Sequence, residues 1–253
     1  MNVKKLLFNN IISGGGDTPT PTATLITDKL YTHLDGNDID GKKWNDRIGH
    51  YNFVSDASLG LTTTAYNLTC EKELSKYKKA YCNSFKFSAF PFTLEFTVKI
   101  SAANSHAILC SCTALNKFKI CCNGDSHLGM YSTNASPNEV TNLIPVSSLT
   151  DNTLHVIDYV FVSNSKLLVY LDGVLTAEHI STVFSNNMLS QSGFQLGATD
   201  DGNVFTGYLY SFRFYKKELS EYEIRCNCLY EATQGRSSVS SDAEQSYFLE
   251  KWN

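Results

Sequence analysis

Apolar and polar residues alternate along most of the chain from about Leu25 to Phe214. The clearest run has apolar side chains at every second position from Phe92 to Ile100, with Thr, Glu, Thr and Lys between them. A period of two over nine residues predicts a β-strand with one buried face. On this pattern Glu95 is expected on the solvated face of the strand.

A second segment adds a turn signal to the strand pattern. The run Leu167–Leu171 is followed by Asp172-Gly173 and a further apolar pair. An Asp-Gly pair supplies the positive φ angles of a type I′ turn, so the segment predicts a β-hairpin. Many short strands, Gly and Asn turns and almost no helical pattern predict an all-β fold, an antiparallel two-sheet jelly-roll sandwich.

One short helix is predicted near the carboxyl end. Ser220 and Glu223 have the spacing of a capping box, which predicts a helix from Glu221 to Ala232. Residues 233–253 form a C-terminal tail that starts polar and ends in aromatic side chains. We expect this aromatic end either to pack back on the core or to dock on a partner.

The first residues differ from the rest and predict an extended N-terminal arm. Residues 1–24 are predicted to be an anchor peptide, a Gly hinge and a Pro/Thr tract that favours polyproline geometry. The jelly roll is predicted to span residues 25–232. The anchor side chains are Lys4, Lys5, Leu6, Leu7, Phe8, Ile11 and Ile12.

Composition narrows the function classes. Of 253 residues, 21 are Lys or Arg and 25 are Asp or Glu, which gives a net charge of −4. Without a basic block, this balance argues against nucleic-acid binding. No apolar run reaches the length of a membrane-spanning helix. Asn9 and Asn10 interrupt the apolar stretch of the leader, so a secretion signal is disfavoured and the eight cysteines are expected to be thiols.

Three segments carry a resemblance to a known family. Gly207–Ile224 is similar to the closing strand and helix of laminin-G-like, concanavalin A-type jelly rolls. Leu154–Val174 resembles the central strand pair of that family, and Trp44–Asn52 resembles its early Trp-x-Asp-x-x-Gly-x-x-Asn loop. The marks cover about residues 28–230, and the resemblance implies a lectin-like module.

Sugar binding needs an aromatic platform and planar polar groups at a rim. The candidates for stacking are Trp44, Tyr51 and Tyr66. The candidates for hydrogen bonding are Asn45, Asp46, Asp200 and Asn203. Aromatic rows are more often core, which is the alternative interpretation of the same residues.

The resemblance also raises calcium as a possible cofactor, because lectins of this fold often use it to shape a loop or bind sugar hydroxyls. The candidate oxygen ligands are Asp35, Asn37, Asp38, Asp40, Asp200 and Asp201. Ordinary turn chemistry, in which Asp, Asn and Gly are the expected residues, is the alternative.

Glycan-cleaving relatives of the fold carry a Glu-x-Asp-x-x-Glu pattern on one strand. Glu95 lies on a suitable strand, but Thr97 and Ile100 stand where the other two carboxylates belong. Since retaining hydrolysis needs two carboxyl groups, we expect no catalytic residues and no enzymatic activity.

The amino-terminal layout resembles the start of virion appendage proteins of bacteriophages that infect gut bacteria. We expect a virion surface protein, assembled in the host cytoplasm, whose jelly roll is displayed as a head fibre or decoration and binds glycans reversibly. Its partners would be other virion proteins through the arm, further copies of the chain and a polysaccharide, without nucleic acid or membrane. A capsid cement protein without a ligand and a secreted bacterial adhesin or glycanase are the alternatives.

Overall fold

The structure is a computed structural model. It describes residues 19–55, 66–67, 79–87, 89–103, 107–112, 118–123, 126–131, 139–180, 192–197, 205–236 and 240–252. The predicted anchor, from Lys4 to Ile12, and the Gly hinge after it lie outside the described residues.

The described chain is almost entirely β. Its strands are β1 (Leu30–Asp40), β2 (Lys43–Asp46), β3 (Phe53–Ser55), β4 (Tyr66–Asn67), β5 (Lys79–Lys86), β6 (Phe92–Ala103), β7 (Ile108–Cys112), β8 (Lys119–Asn123), β9 (His127–Tyr131), β10 (Glu139–Pro145), β11 (Leu154–Phe161), β12 (Lys166–Leu171), β13 (Val174–Ile180), β14 (Ser192–Gly197) and β15 (Phe205–Tyr215). Two helices follow, α1 (Glu221–Ala232) and α2 (Ser241–Lys251).

All pairings are antiparallel, and the strand order is β10-β9-β8-β7-β14-β5-β3-β2-β1-β15-β6-β11-β12-β13, with β4 added to β15. The ladder folds over a main core that is rich in aromatic side chains. Phe194 on β14 lies 5.4 Å from Phe212 on β15, although those strands are not neighbours in the ladder. Phe85 on β5 likewise lies 5.3 Å from Phe214. Two layers therefore face each other, and the predicted jelly-roll sandwich is confirmed.

The predicted hairpin and helix are both confirmed. Asp172 and Gly173 have φ angles of 54° and 76°, and the ladder resumes with Leu171 opposite Val174. In the capping box, Ser220 Oγ accepts a hydrogen bond from the Glu223 backbone N–H, and the Glu223 carboxylate accepts one from the Ser220 N–H at 2.9 Å.

The prediction of one helix was incomplete, because the tail forms α2. Ser240 caps the helix, Asp242 lies in its first turn and Lys251 in its last, an arrangement that complements the helix dipole. Phe248 is fully buried in a second apolar cluster between the helices and the sheet. Of the two alternatives for the aromatic end, packing back on the core is the one that the structure shows.

The expected exposure of Glu95 was wrong. Its side chain is fully buried, because α1 covers the face of β6 that the alternation left polar. Arg213 on β15 pairs with both Glu95 and Glu231 there, and the Asn227 amide donates to Glu95 at 2.6 Å. The layer beneath the helices thus combines an apolar cluster with buried charge pairs and hydrogen bonds, whereas the layer between the sheets is apolar.

The seven described cysteines form no disulfide with one another, and six of them are buried. No helix in the described part of the chain is both long and apolar enough to cross a membrane.

Candidate functional site

The loop after β2, which carries several predicted sugar-binding residues, is organised around one carboxylate. Asp46 Oδ1 accepts hydrogen bonds from the backbone N–H groups of His33 at 2.8 Å and Ile48 at 3.0 Å. Oδ2 accepts from those of His50 at 3.0 Å and Tyr51 at 2.8 Å. Because a carboxylate offers about four lone-pair sites, Asp46 has no capacity left for a sugar. The prediction that Asp46 binds a sugar was therefore wrong, and its carboxylate instead holds the loop together.

Trp44 is also corrected. Its side chain is 0% exposed in the main core, and its indole N–H donates to the Asp35 carbonyl. A ring without solvent-facing surface cannot stack on a sugar. Asn52 accepts a hydrogen bond from the Asp46 N–H at 2.9 Å, so the Trp-x-Asp-x-x-Gly-x-x-Asn pattern determines the shape of the loop. Asn45, partly exposed, donates to the Asp38 carbonyl at 3.1 Å.

Tyr51 keeps a partly accessible position in a small aromatic patch. Its ring lies 5.8 Å from Tyr31, and the two faces of Tyr31 are covered by His50, stacked at 4.0 Å, and by the Lys216 ammonium at 3.1 Å from the ring centre. Burial, and then the neighbouring Tyr31, raises the pKa of the Tyr51 phenol. The patch has one exposed ring, His50, and no open platform.

The other predicted sugar-binding residues are not placed. Tyr66 is described only through its backbone, which pairs with Leu209 in the ladder. Asp200 and Asn203 lie outside the described residues, as does the calcium candidate Asp201. For these positions the sequence prediction stands as a prediction.

The calcium interpretation does not fit the first candidate loop. Asp35 is buried between two arginines, with Arg236 at 2.7 Å and Arg47 at 3.2 Å, and Asp38 pairs with Arg47 as well. Burial alone would raise the pKa of Asp35, but Arg236 and then Arg47 outweigh it and hold the pKa below its ordinary value. Carboxylates already neutralised by guanidinium groups are poor ligands for a dication.

The remaining candidates in that loop do not change this result. Asn37 and Asp40 are exposed in the last part of β1, just before a turn in which Gly41 takes a φ of +57°. Among the residues that the structure describes, no three His, Cys, Asp or Glu side chains are arranged to hold a metal ion.

A groove that the sequence did not predict opens between the two helices and the start of the described chain. Its volume is about 510 Å³. It is lined by Pro19, Thr20, Pro21, Glu221, Tyr222, Arg225, Leu249 and Trp252. Tyr222 and Trp252 are partly exposed, Leu249 is exposed, and Arg225 forms an ion pair with Glu221 one helical turn away. The groove therefore combines aromatic surface with a planar, charge-balanced hydrogen-bonding pair.

The β12–β13 turn holds the floor of the groove in place. Trp252 Nε1 donates to the Asp172 carbonyl at 2.7 Å, and Arg225 Nε donates to the Gly173 carbonyl at 3.2 Å. The Arg225 guanidinium also lies 5.2 Å from the centre of the Trp252 ring, within the range of cation–π attraction. A Cβ on Gly173 would lie 2.7 Å from Trp252 Nε1, so only glycine fits there.

The N-terminal wall of the groove is also bound to the sheet and helix. Ile26 donates its N–H to Asn227 at 2.9 Å and accepts from the Tyr215 hydroxyl at 3.1 Å. Asp28 pairs with Lys217 at 3.0 Å. Pro19–Pro21, in the predicted linker, lines the groove together with Glu221, Tyr222 and Arg225 of α1.

Sequence reasoning missed the groove because it treated residues 233–253 as a tail. Leu249 and Trp252 share a helical face only once α2 is recognised, and the Ser240 cap with acidic residues in the first turn was the available signal. The i, i+4 spacing of Glu221 and Arg225 was likewise readable on the predicted α1.

The structure gives Glu95 no access to a substrate. Its carboxylate is enclosed by Arg213 and Asn227 beneath α1. The groove itself is lined by one carboxylate, Glu221, which is paired with Arg225, whereas glycoside hydrolysis uses two.

Comparisons with solved structures give the same architecture. The receptor-binding domain of botulinum neurotoxin mosaic serotype C/D matches with a TM-score of 0.58 at 15% identity, over 81% of this chain and 51% of that chain. A structure of botulinum neurotoxin type C, whose cell entry depends upon interaction with two ganglioside molecules, matches with a TM-score of 0.58 at 13% identity over 81% and 51% of the two chains. The serotype D ligand-binding domain in complex with N-acetylneuraminic acid matches with 0.58 at 16% identity, over 81% and 51%.

At these identities the likeness shows the fold, and this chain spans about half the length of the matched chains. A search of curated protein sequences found no match. The strand order and the two facing layers define an antiparallel jelly-roll sandwich. A laminin-G family model, described as the Concanavalin A-like lectin/glucanases superfamily, matches residues 75–225, and the chain belongs to that superfamily.

Proposed function

We propose that this chain is a non-enzymatic, glycan-binding module displayed on the surface of a bacteriophage virion. The observation that carries the glycan-binding part is the groove between α1 and α2. It offers the partly exposed Tyr222 ring, and a partly exposed Trp252 ring with the Arg225 guanidinium over one face, beside the Arg225–Glu221 pair. Aromatic surface accepts the apolar face of a pyranose ring, and planar charged groups accept and donate hydrogen bonds to vicinal hydroxyls. Ligand sites commonly combine apolar lining with a few placed polar groups.

The charge balance of the groove favours reversible binding of uncharged stretches of polysaccharide. Glu221 and Arg225 neutralise each other, so no unpaired charge selects an anionic ligand. Each site would bind weakly, and many copies on one particle would raise the affinity through avidity. Association of several copies of the chain belongs to this proposal.

The resemblance in fold supports glycan binding in general, and not the preference for uncharged glycans. The matched neurotoxin structures concern interaction with gangliosides and with N-acetylneuraminic acid. Their sequence identity to this chain is 13–16%, so the inference rests on the shared sandwich together with the groove of this protein.

Display on a virion rests on the amino-terminal sequence. The apolar leader, with Lys4 and Lys5, precedes a Gly hinge and a Pro/Thr tract. The first described residues, Pro19–Pro21, line the groove together with residues of α1. We propose that the leader docks on other virion proteins.

The two tryptophans allow a direct test of glycan binding. Trp44 is fully buried and Trp252 lines the groove, so a ligand in the groove changes the fluorescence of Trp252 and leaves that of Trp44 unchanged. Purified protein is titrated with a panel of host capsular polysaccharides, and binding is scored in parallel on a glycan array. Tyr222→Ala should weaken binding at least tenfold. Tyr208→Ala, which removes an aromatic side chain that is 41% exposed elsewhere, should leave it unchanged.

Silence across the panel with correctly folded protein would refute glycan binding and favour the cement alternative. The virion part has its own test, deletion of residues 2–16. We expect the truncated protein to melt at the same temperature and to be absent from assembled particles. Incorporation of the truncated chain would contradict the anchor.

A further inference from the structure

A second, smaller pocket lies on the other side of α2 from the groove. It has a volume of about 140 Å³ and opens between β6, the start of β11 and α2. Its lining residues are Lys99, Asn152, Thr153, Leu154, Ala243, Glu244, Tyr247 and Phe248. An engineered cavity of about 150 Å³ holds a benzene molecule, so this pocket has room for a group of four or five non-hydrogen atoms.

The floor of the pocket is apolar and rigidly held. Leu154 and Phe248 are 4% and 0% exposed. Tyr247 is fixed by its hydroxyl, which donates to the Asp172 carboxylate at 3.1 Å. Because Asp172 also accepts from Lys251 of the same helix at 2.6 Å, α2 is attached to the sheet at the pocket wall. The floor is thus formed before any ligand arrives.

Two polar groups of the pocket have unused hydrogen-bonding capacity. Among the described residues, neither the Lys99 ammonium nor the Asn152 side-chain amide has a hydrogen-bond or ion-pair partner. Asn152 is held in a left-handed conformation, with a φ of 61°, by a bond from its N–H to the Ile100 carbonyl at 3.0 Å. Both groups can donate hydrogen bonds to a ligand, and the nearly buried Glu244 side chain lies in the same lining.

This set of groups matches a secondary amide that carries a methyl group. The methyl fits the floor of Leu154, Ala243 and Phe248. The amide oxygen accepts from Lys99 or Asn152. A hydroxyl in place of the acetamido group would leave the apolar floor unfilled.

We propose that this pocket binds the acetamido group of N-acetylated amino sugars, so that such sugars are the preferred components of the glycans recognised by the protein. The inference deepens the proposed function and rests on it. The pocket lies beside the groove with α2 between them, so a branched glycan could contact both.

The test uses probes that differ only at the acetamido position. Saturation-transfer difference NMR is recorded on the full chain with N-acetylglucosamine and with glucose. We expect the strongest saturation on the acetyl methyl and at least tenfold weaker binding of glucose. Ala243→Leu, which fills the pocket from the exposed first turns of α2, should abolish the acetyl signal. Ser246→Leu, on the same helix but outside the pocket lining, should preserve it.

N-methylacetamide separates this inference from the proposed function, because it carries the amide and no sugar. If it perturbs the Leu154 and Ala243 methyl resonances while no glycan binds the protein, the pocket assignment stands and glycan recognition fails. If polysaccharide binding depends on Tyr222 while glucose and N-acetylglucosamine bind equally, the pocket assignment is overturned and the proposed function stands. Unchanged acetyl saturation in a folded Ala243→Leu protein would overturn it as well.

Discussion

Glu95 on β6 and Asp158 on β11 lie directly opposite each other in the ladder, and both are fully buried. Glu95 is bound by Arg213 and Asn227, whereas Asp158 has no donor among the described residues and can share a hydrogen bond with Glu95 only when one of the two carboxyls carries a proton. Burial, and then the charge of Glu95, raises the pKa of Asp158 well above its ordinary value. Asp158 is therefore protonated in the folded protein over a pH range in which the unfolded chain is ionised.

This pair predicts a stability that falls as the pH rises. A carboxyl whose pKa is raised on folding contributes fully below its unfolded value of 3.8 and loses that contribution as the pH increases toward the folded value. The loss is about 1.4 kcal/mol for each pH unit in that range. Asp158→Asn removes the titration. The unfolding free energy of this variant, relative to that of the wild type, should therefore increase with pH from about pH 4 upward. Urea unfolding from pH 3.5 to 8.5 measures this, with exposed Asp40→Asn as the control. Parallel pH curves for wild type and Asp158→Asn would contradict the assignment.

The free energy of unfolding should also depend on the protonation of a buried histidine, His155, in a different pH range. His155 Nδ1 lies 2.9 Å from Asp172 Oδ2, and its Nε2 lies 2.9 Å from Asp151 Oδ1. Burial opposes protonation, but Asp172 and then Asp151 outweigh it and raise the pKa of His155 above 6.5. The Lys251 ammonium and the Tyr247 hydroxyl face the imidazole through Asp172.

Because the folded pKa of His155 is raised, its contribution is complete below pH 6.5 and is lost as the pH rises through the folded value. His155→Gln should therefore destabilise the protein more at pH 5.5 than at pH 8.5, by about 1 to 2 kcal/mol. Hydrogen exchange should place the effect in α2, which Asp172 attaches to the sheet. His50→Gln, at an exposed position, serves as the control, and an equal loss at both pH values would count against the ion pair.

The loop carboxylate predicts a large local loss of stability. Asp46→Ala removes the acceptor of four backbone N–H groups. Hydrogen bonds to a charged group contribute about 1.5–3 kcal/mol each and are not additive, so we expect a loss of about 3 kcal/mol in the free energy of unfolding. Asp40→Ala in the neighbouring turn should cost less than about 0.5 kcal/mol. Chemical denaturation of both variants measures the difference, and similar losses would show that Asp46 is not the organiser of the loop.

We predict that a side chain at position 173 disturbs the groove. Gly41, which also has a positive φ, serves as the control for backbone strain. In Gly173→Ala the new Cβ meets Trp252 Nε1 at 2.7 Å and Arg225 Cγ at 2.9 Å, whereas in Gly41→Ala it meets nothing within 4 Å. Both positions have positive φ, so both variants should lose about 1–2 kcal/mol from the backbone. Only Gly173→Ala should also shift the Trp252 fluorescence and weaken glycan binding at least tenfold. Identical spectra for the two variants would contradict the described floor of the groove.

Local patterns in the sequence were sufficient wherever neighbours along the chain determine the structure. The Asp172-Gly173 turn and the Ser220–Glu223 capping box depend on residues within one turn, and both are confirmed. The resemblance of Trp44–Asn52 located a real loop. It could not distinguish a ligand-binding residue from one that builds the loop. An aspartate at position 46 is compatible with either role, because a carboxylate can accept hydrogen bonds from sugar hydroxyls or from backbone N–H groups.

The sequence by itself determined the sandwich, since strand period and turn chemistry are encoded within a few residues of each position. Tertiary structure decided which face of each strand meets solvent: α1 covers the polar side of β6, so Glu95 is buried with Arg213, 118 residues away in the chain. It also decided where binding surfaces arise. Pro19 and Trp252 line the same groove, and Lys99 and Phe248 line the same pocket. These residues are far apart in the chain and come together because the helices pack on the sheet through apolar and ionic contacts. No local pattern in the sequence predicts such long-range contacts.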